Sequence, residues 1–93
     1  MSVTVRVPTP LRRLTNGRDK VSVEGDDLGA VISALDKEFP GIKERICDEN
    51  GEIRNFVNLY VDGEDVRFEA GLGTATSSGS EVSIVPAVAG GGN

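Results

Sequence analysis

Residues 25–41, GDDLGAVISALDKEFPG, contain the element that decides the fold. Either aspartate can cap a helix here, because a carboxylate accepts from free amides and suits the positive end of the helix dipole. The Pro40-Gly41 pair ends the helix. The apolar residues that recur at helical spacing between these limits are Leu28, Val31, Ile32, Leu35 and Phe39. The stretch therefore predicts one amphipathic helix with a single face to bury.

Two strand patterns precede this helix. The valines of residues 3–7 alternate with polar residues, and residues 20–23 repeat the alternation, which is typical of strands with one buried face. Pro8 and Pro10 end the first strand, residues 11–14 form a short connection, and Thr15-Asn16-Gly17 is a strong turn signal. We expect an antiparallel pair with its valines facing inward.

Further strands follow the helix. Residues 42–47 predict an extra helical turn and residues 48–51 a polar turn. Residues 56–61 predict a strand with Val57, Leu59 and Val61 on one face and Phe56, Asn58 and Tyr60 on the other. Asp62-Gly63 is a hairpin signal leading to a short strand over residues 66–68. After a loop of small residues over 71–79, residues 81–85 predict the last strand.

This order of elements predicts an α+β fold of the ubiquitin-like β-grasp type. We expect a mixed sheet of four to five strands with one main helix packed across it, and a last strand that lies centrally, parallel to the first. Residues 1–86 form the predicted domain, and residues 87–93 a flexible glycine-rich tail. Extended, the five residues 87–91 reach roughly 15–18 Å, enough to cross a partner's surface into a buried site.

Composition excludes several kinds of protein. The chain has no histidine and one cysteine, which removes common nucleophile pairs and most zinc sites, so we expect neither an enzyme nor a bound metal. The net charge of −5 argues against nucleic acid, and no apolar run is long enough to span a membrane. With one cysteine an internal disulfide is impossible, and a cytoplasmic location is expected.

Charge is uneven along the chain. Residues 1–20 hold five basic residues and one acidic residue (net +4), whereas residues 21–93 hold five basic and 14 acidic residues (net −9). The acidic part predicts partners with a basic docking surface. The alternative is that these charges serve only solubility.

The chain ends in VPAVAGGGN over residues 85–93. Only small residues follow Pro86, and the one chemically useful group there is a main-chain carboxylate. Because glycine has no Cβ, such a tail can enter a channel too narrow for any side chain. We interpret the tail as a carboxyl group delivered to another protein's active site.

Four stretches, taken together and in order, resemble the ThiS/MoaD superfamily of sulfur carriers, and within it the CysO-type carriers of cysteine biosynthesis. They are residues 25–32 (GDDLGAVI), 56–61 (FVNLYV), 64–68 (EDVRF) and 85–91 (VPAVAGG). The resemblance implies a carrier whose terminal glycine is adenylated with ATP by an activating enzyme and then converted by a sulfur donor to a thiocarboxylate. It also implies a pyridoxal-phosphate-dependent cysteine synthase that accepts the sulfur, and a JAMM-type zinc metalloprotease. The chain itself would bind no cofactor.

The resemblance places the reactive carboxylate within Gly90, Gly91 and Gly92. The active form of the family ends in Gly-Gly, but here Gly92 and Asn93 follow Gly91, so the chain as written is expected to be an inactive precursor. We favour trimming by the metalloprotease to Gly91, or to Gly92 if only Asn93 is removed. The alternative is that the last residues are an artefact.

Partner docking is predicted for Phe56, Tyr60 and Phe68, and for the start of the tail, residues Pro86, Ala87, Val88 and Ala89. The alternative for the aromatic pair is packing beneath the loop over residues 42–51. Cys47 is interpreted as a small filler residue rather than a reactive thiol, because Arg45 is its one evident cationic neighbour.

Three other functions stay open at this stage. One is a carrier for thiamin, molybdopterin or tRNA thiolation. Another is a ubiquitin-like modifier joined to protein lysines. The last is a binding module with an inert tail.

Overall fold

The computed structural model describes residues 2–86, which form one mixed sheet with helices packed against one face. The elements in chain order are β1 (Val3–Arg6), β2 (Lys20–Val23), α1 (Leu28–Glu38), α2 (Ile42–Ile46), β3 (Val57–Val61), β4 (Glu64–Asp65) and β5 (Glu81–Pro86). The strands lie in the order β2-β1-β5-β3-β4. Strand β5 is parallel to β1 and antiparallel to β3, so the predicted central position of the last strand is confirmed.

Strict alternation of side chains decides which face of the sheet is buried. Successive residues of a strand point to opposite faces, so the apolar positions of each strand share one side. That side meets α1 and α2 and forms the core, whose buried residues include Val3, Val5, Val21, Val23, Leu28, Val31, Leu35, Ile42, Ile46, Val57, Leu59, Val61, Val82 and Ile84. The other side, called here the outer face, carries the intervening polar residues of each strand.

Side-chain caps fix both helices. The Asp27 carboxylate accepts a hydrogen bond from the Ala30 amide at 2.8 Å, so Asp27 rather than Asp26 caps α1. At the end of α1, the Asp36 carboxylate accepts from the amides of Gly41 (3.1 Å) and Lys43 (3.0 Å). These bonds satisfy amides at the start of α2 that have no partner within the helix. The predicted extra helical turn is thereby confirmed.

The predicted strand over residues 66–68 is wrong. Strand β4 holds only Glu64 and Asp65, and Val66–Phe68 is a turn of 3₁₀ helix. The Asp65 carboxylate accepts from the Arg67 amide at 2.9 Å, which caps the turn and draws the chain away from β3. Val66 is fully buried in the 3₁₀ turn, and an inward-facing strand residue would be apolar too, so the pattern of three residues could not separate a strand from a helical turn.

Two connections are more ordered than expected. The segment between β1 and β2 is a 3₁₀ helix over Thr9–Thr15, and the predicted turn follows it, with Asn16 and Gly17 at φ of 58° and 82°. The Thr15 hydroxyl donates to the Arg18 carbonyl at 2.9 Å and closes this turn. The loop over residues 71–79 begins with a 3₁₀ turn at Gly71–Gly73.

The predicted tail, residues 87–93, lies outside the described residues, and the domain boundary after Pro86 stays a prediction.

Candidate functional site

The candidate site is the end of the sheet from which the tail continues. Pro86 is the last residue of β5 and pairs with Val57, the first residue of β3. The end of β1 lies on the other side of β5, because Arg6 pairs with Ser83. Strand β5 is therefore flanked on both sides as far as Ser83, and Pro86 at its end is paired with β3. Seven predicted site residues lie outside the described part of the chain: Ala87, Val88, Ala89, Gly90, Gly91, Gly92 and Asn93.

One arginine anchors the strand that pairs with Pro86. The Arg67 guanidinium donates to the carbonyls of Arg54 (2.9 Å) and Val57 (2.7 Å), and also to the side-chain oxygen of Asn58 (2.5 Å). A planar guanidinium with several donors suits such a set of acceptors. Because Val57 is the partner of Pro86, Arg67 fixes the neighbour of the residue from which the tail continues.

Exposed apolar side chains lie at the same end of the sheet. Phe56, next to Val57, is 54% exposed, and Val85, next to Pro86, is 42% exposed. Phe68, which follows Arg67, is 84% exposed. Large exposed apolar residues that lie at one end of a sheet favour an interaction surface there. The predicted docking residues Phe56 and Phe68 are thus accessible, whereas Tyr60 is partly buried.

Phe56 does not pack beneath the loop over residues 42–51. Its ring lies 5.9 Å from the Arg54 guanidinium carbon, within the range of a cation–π contact. Arg54 itself holds the connection to α2, since its side chain donates to the Glu44 carbonyl at 2.8 Å. The ring is accessible to a partner, and its role in docking stays a prediction.

Sequence reasoning did not single out Arg67 or Val85, and it placed Asn58 only between the docking candidates Phe56 and Tyr60. Arg67 contacts residues nine to thirteen positions earlier in the chain, and nothing local in the sequence indicates such contacts. For Val85 a signal existed that was not used: alternation with Val82 and Ile84 places its side chain on the opposite, outer face.

Cys47 lies within the core, with 2% of its surface exposed. Burial raises the pKa of its thiol by desolvation, although the charges of Lys43 and Arg54 oppose the shift. These two residues, rather than Arg45, are its cationic neighbours. Because the thiolate is the reactive form, the raised pKa favours the interpretation of Cys47 as a filler residue.

Neither a metal site nor a membrane span is found in residues 2–86. Within this range no group of three or more histidine, cysteine, aspartate or glutamate side chains is placed to hold a metal ion. The helices of the described chain are too short or too polar to cross a bilayer. What the described part of the site offers is a set of exposed apolar side chains close to Pro86, the last described residue.

Comparison with known proteins gives a consistent family. The sequence model of the ThiS family matches residues 5–91. The sulfur carrier protein CysO of Mycobacterium tuberculosis is 54% identical over 93 residues, covering 98% of this chain and all of the relative. Its crystal structure matches with a TM-score of 0.89 and 52% identity, over 92% of this chain and 99% of that one.

Two further relatives extend the comparison. The chain matched in the crystal structure of the Amycolatopsis orientalis BexX/CysO complex has a TM-score of 0.91 and 40% identity, over 96% of this chain and 99% of that one. Small archaeal modifier protein 1 of Haloferax volcanii is 34% identical over 73 residues, 77% of this chain and 79% of the relative. With the family match covering nearly its whole length, the chain is a member of the ThiS family.

Proposed function

We propose that this chain is a sulfur carrier protein that serves cysteine biosynthesis. The observation that carries the proposal is the central position of β5, which leads from the core of the sheet directly into the glycine tail. The 54% identity to a CysO sulfur carrier supports the same function. The chain supplies a terminus and a docking surface, and the reacting groups belong to its partners.

In the proposed cycle the terminal glycine carboxylate attacks the α-phosphorus of ATP within an activating enzyme. Pyrophosphate leaves, and the resulting acyl adenylate is a far better electrophile than the carboxylate. A sulfur donor bound by that enzyme then displaces AMP and leaves a thiocarboxylate. Its sulfur is soft and ionised at neutral pH, so it needs no base from this chain when it attacks the substrate of a pyridoxal-phosphate-dependent cysteine synthase. The acyl group of the carrier then shifts from sulfur to nitrogen, and hydrolysis of the resulting amide by a zinc metalloprotease releases cysteine and restores the glycine carboxylate.

The mature terminus is proposed to be Gly91. The family match ends at this residue, which supports a form lacking Gly92 and Asn93. We propose that a JAMM-type zinc metalloprotease removes the last two residues and that Phe56, Phe68 and the start of the tail contact the partners. The crystallised BexX/CysO complex of a relative supports a carrier of this kind acting through a partner protein.

Chains of three lengths test this cycle. We expect the chain ending at Gly91 to form an adduct with AMP and release pyrophosphate when mixed with ATP and the activating enzyme of the native host. The chain ending at Asn93 should show at most about 1% of that rate, because a blocked or displaced terminus loses the alignment that makes the step fast. Comparing the adenylation rates of the chains ending at Gly91 and at Gly92 decides which of the two is the mature terminus.

Mass spectrometry of the adduct and a pyrophosphate assay give the rates. Equal rates for the chains ending at Gly91 and Asn93 would remove the need for trimming. Failure of all three chains with an enzyme that adenylates another carrier would overturn the proposed function.

A second candidate is a protein modifier. The Haloferax volcanii relative named small archaeal modifier protein 1 favours it specifically. Isopeptide-linked conjugates of this chain with lysines of host proteins, detected by digestion and mass spectrometry, would support that function.

A further inference from the structure

The outer face of the sheet carries a pair of like charges at the end where the tail continues. Arg6 and Lys20 are direct cross-strand partners in the register of β1 and β2. Both side chains lie on the outer face, since Val5 and Val7 on either side of Arg6, and Val21 next to Lys20, point into the core. Like charges directly opposite one another in an antiparallel pair destabilise the sheet. The fold thus retains an arrangement that is unfavourable in the isolated chain.

Nearby carboxylates do little to relieve this repulsion. Glu81 lies 3.8 Å from the Arg6 guanidinium, but the two side chains are 55% and 46% exposed, so the pair is loose and screened by water. Asp19 precedes Lys20 in the turn and is exposed. Asp65, at the far side of the same row of residues, instead accepts from the Arg67 amide.

A third cation lies across the same face. The register continues from Arg6 to Ser83 and then to Tyr60, so a short side chain separates the basic pair from the aromatic residue. Arg67 reaches the outer face where its guanidinium donates to Asn58. Asn58 lies two residues before Tyr60 in β3 and is therefore nearer to Pro86. Arg6, Lys20 and Arg67 together form what we call the cationic face. The exposed residue Val85 is on β5, which lies between β1 with Arg6 and β3 with Asn58.

The opposite end of the sheet has the reverse charge. The connection from β2 to α1 and the turn from β3 to β4 lie there, because β2 and β3 both run away from the tail end. Residues 24–27 and 62–64 contain no lysine or arginine. Their acidic residues are Glu24, Asp26, Asp27, Asp62 and Glu64. These acidic loops therefore lie at the end of the sheet opposite to Arg6 and Lys20.

We infer that the cationic face docks on an acidic surface surrounding the channel that receives the tail in the activating enzyme. The inference rests on the proposed function and names the chemistry of the partner. A ring of carboxylates there would relieve the repulsion between Arg6 and Lys20. It would also turn the tail end toward the enzyme, since separated charges orient a protein as it approaches an opposite field. The overall acidity of the sequence predicted a basic partner surface. The distribution of charged residues in space instead predicts an acidic partner surface opposite the cationic face.

The Lys20→Glu variant separates docking from folding. It converts a repulsive cross-strand pair into an attractive one, so thermal stability should stay equal or rise. We expect the KM for the carrier in ATP–pyrophosphate exchange to rise about 10-fold or more at about 50 mM salt, with kcat unchanged. The difference should shrink at about 300 mM salt, where screening is strong. A role in folding alone would not raise KM while stability is retained.

Lys37→Glu is the matched control, because it makes the same change of charge on α1, which packs on the other side of the sheet. Both variants are made in the chain ending at Gly91, and the probe is the host's activating enzyme, purified by its exchange activity with that chain. Equal KM values for the two variants, or a lower KM for Lys20→Glu, would overturn the inference and leave the proposed function intact. If the unsubstituted chain supports no exchange, the proposed function fails and this inference with it.

Discussion

A Gly91→Ala substitution in the chain ending at residue 91 is expected to leave folding unchanged and to lower kcat/KM for adenylation at least about 100-fold. The reason is steric. The only group added is a methyl on the carbon next to the reacting carboxylate, and a channel shaped for glycine has no space for it. The carboxylate then sits out of line with the α-phosphorus of ATP, and small misplacements of reacting atoms slow a reaction greatly.

The measurement is ATP–pyrophosphate exchange at varied carrier concentration, with thermal unfolding recorded on the same samples. Gly73→Ala serves as the control, since it adds the same methyl on the surface of the folded domain, where the nearest atom would lie at an ordinary 3.7 Å. Wild-type kcat/KM in Gly91→Ala would refute the narrow channel on which the function of the glycine tail depends.

A Gly25→Ala substitution is expected to lower the free energy of unfolding by about 2 kcal/mol or more and the melting temperature by roughly 10 °C. A Cβ at residue 25 would lie 2.7 Å from the Val31 amide nitrogen and 2.8 Å from its Cγ2. The first of these atoms belongs to the backbone of α1, so relief requires a shift of the helix. Gly25 also anchors the loop before β5, because its carbonyl accepts from the Thr76 hydroxyl at 2.8 Å.

Chemical denaturation followed by circular dichroism gives this free energy. The Gly73→Ala control should change it by less than about 0.5 kcal/mol, the usual range for a surface substitution. A Gly25→Ala protein as stable as the control would mean that the close approach of residue 25 to α1 is not needed for the fold.

Much of the fold could be predicted because local patterns and tertiary packing agree in this chain. The valines of residues 3–7 and the apolar positions of α1 have periods that only one kind of element satisfies, and the structure places both sets in the core. At residues 66–68 the pattern was too short to decide, and the capping bond from Asp65 determined the outcome. The central position of β5 followed from the order of elements alone.

The candidate site was less accessible to sequence reasoning. The pairing of Arg6 with Lys20 depends on the exact length of the connection between their strands, which contains the 3₁₀ helix Thr9–Thr15. The sequence indicated only that this connection is short. The role of Arg67 depends on two carbonyls and an amide brought together by the chain reversal after β3. The glycine tail was evident from composition and position. Its chemistry came from resemblance, because glycine residues carry no functional side chain.

The central claim is that a side-chain-free terminus of this chain carries sulfur. The most direct test is the intact mass of the protein isolated from its native host under conditions that preserve thiocarboxylates. The account predicts molecules that end at Gly91, a fraction of them with one terminal oxygen replaced by sulfur. If every molecule ends at Asn93 and carries no adduct while the cell still makes cysteine through this protein, the account is contradicted.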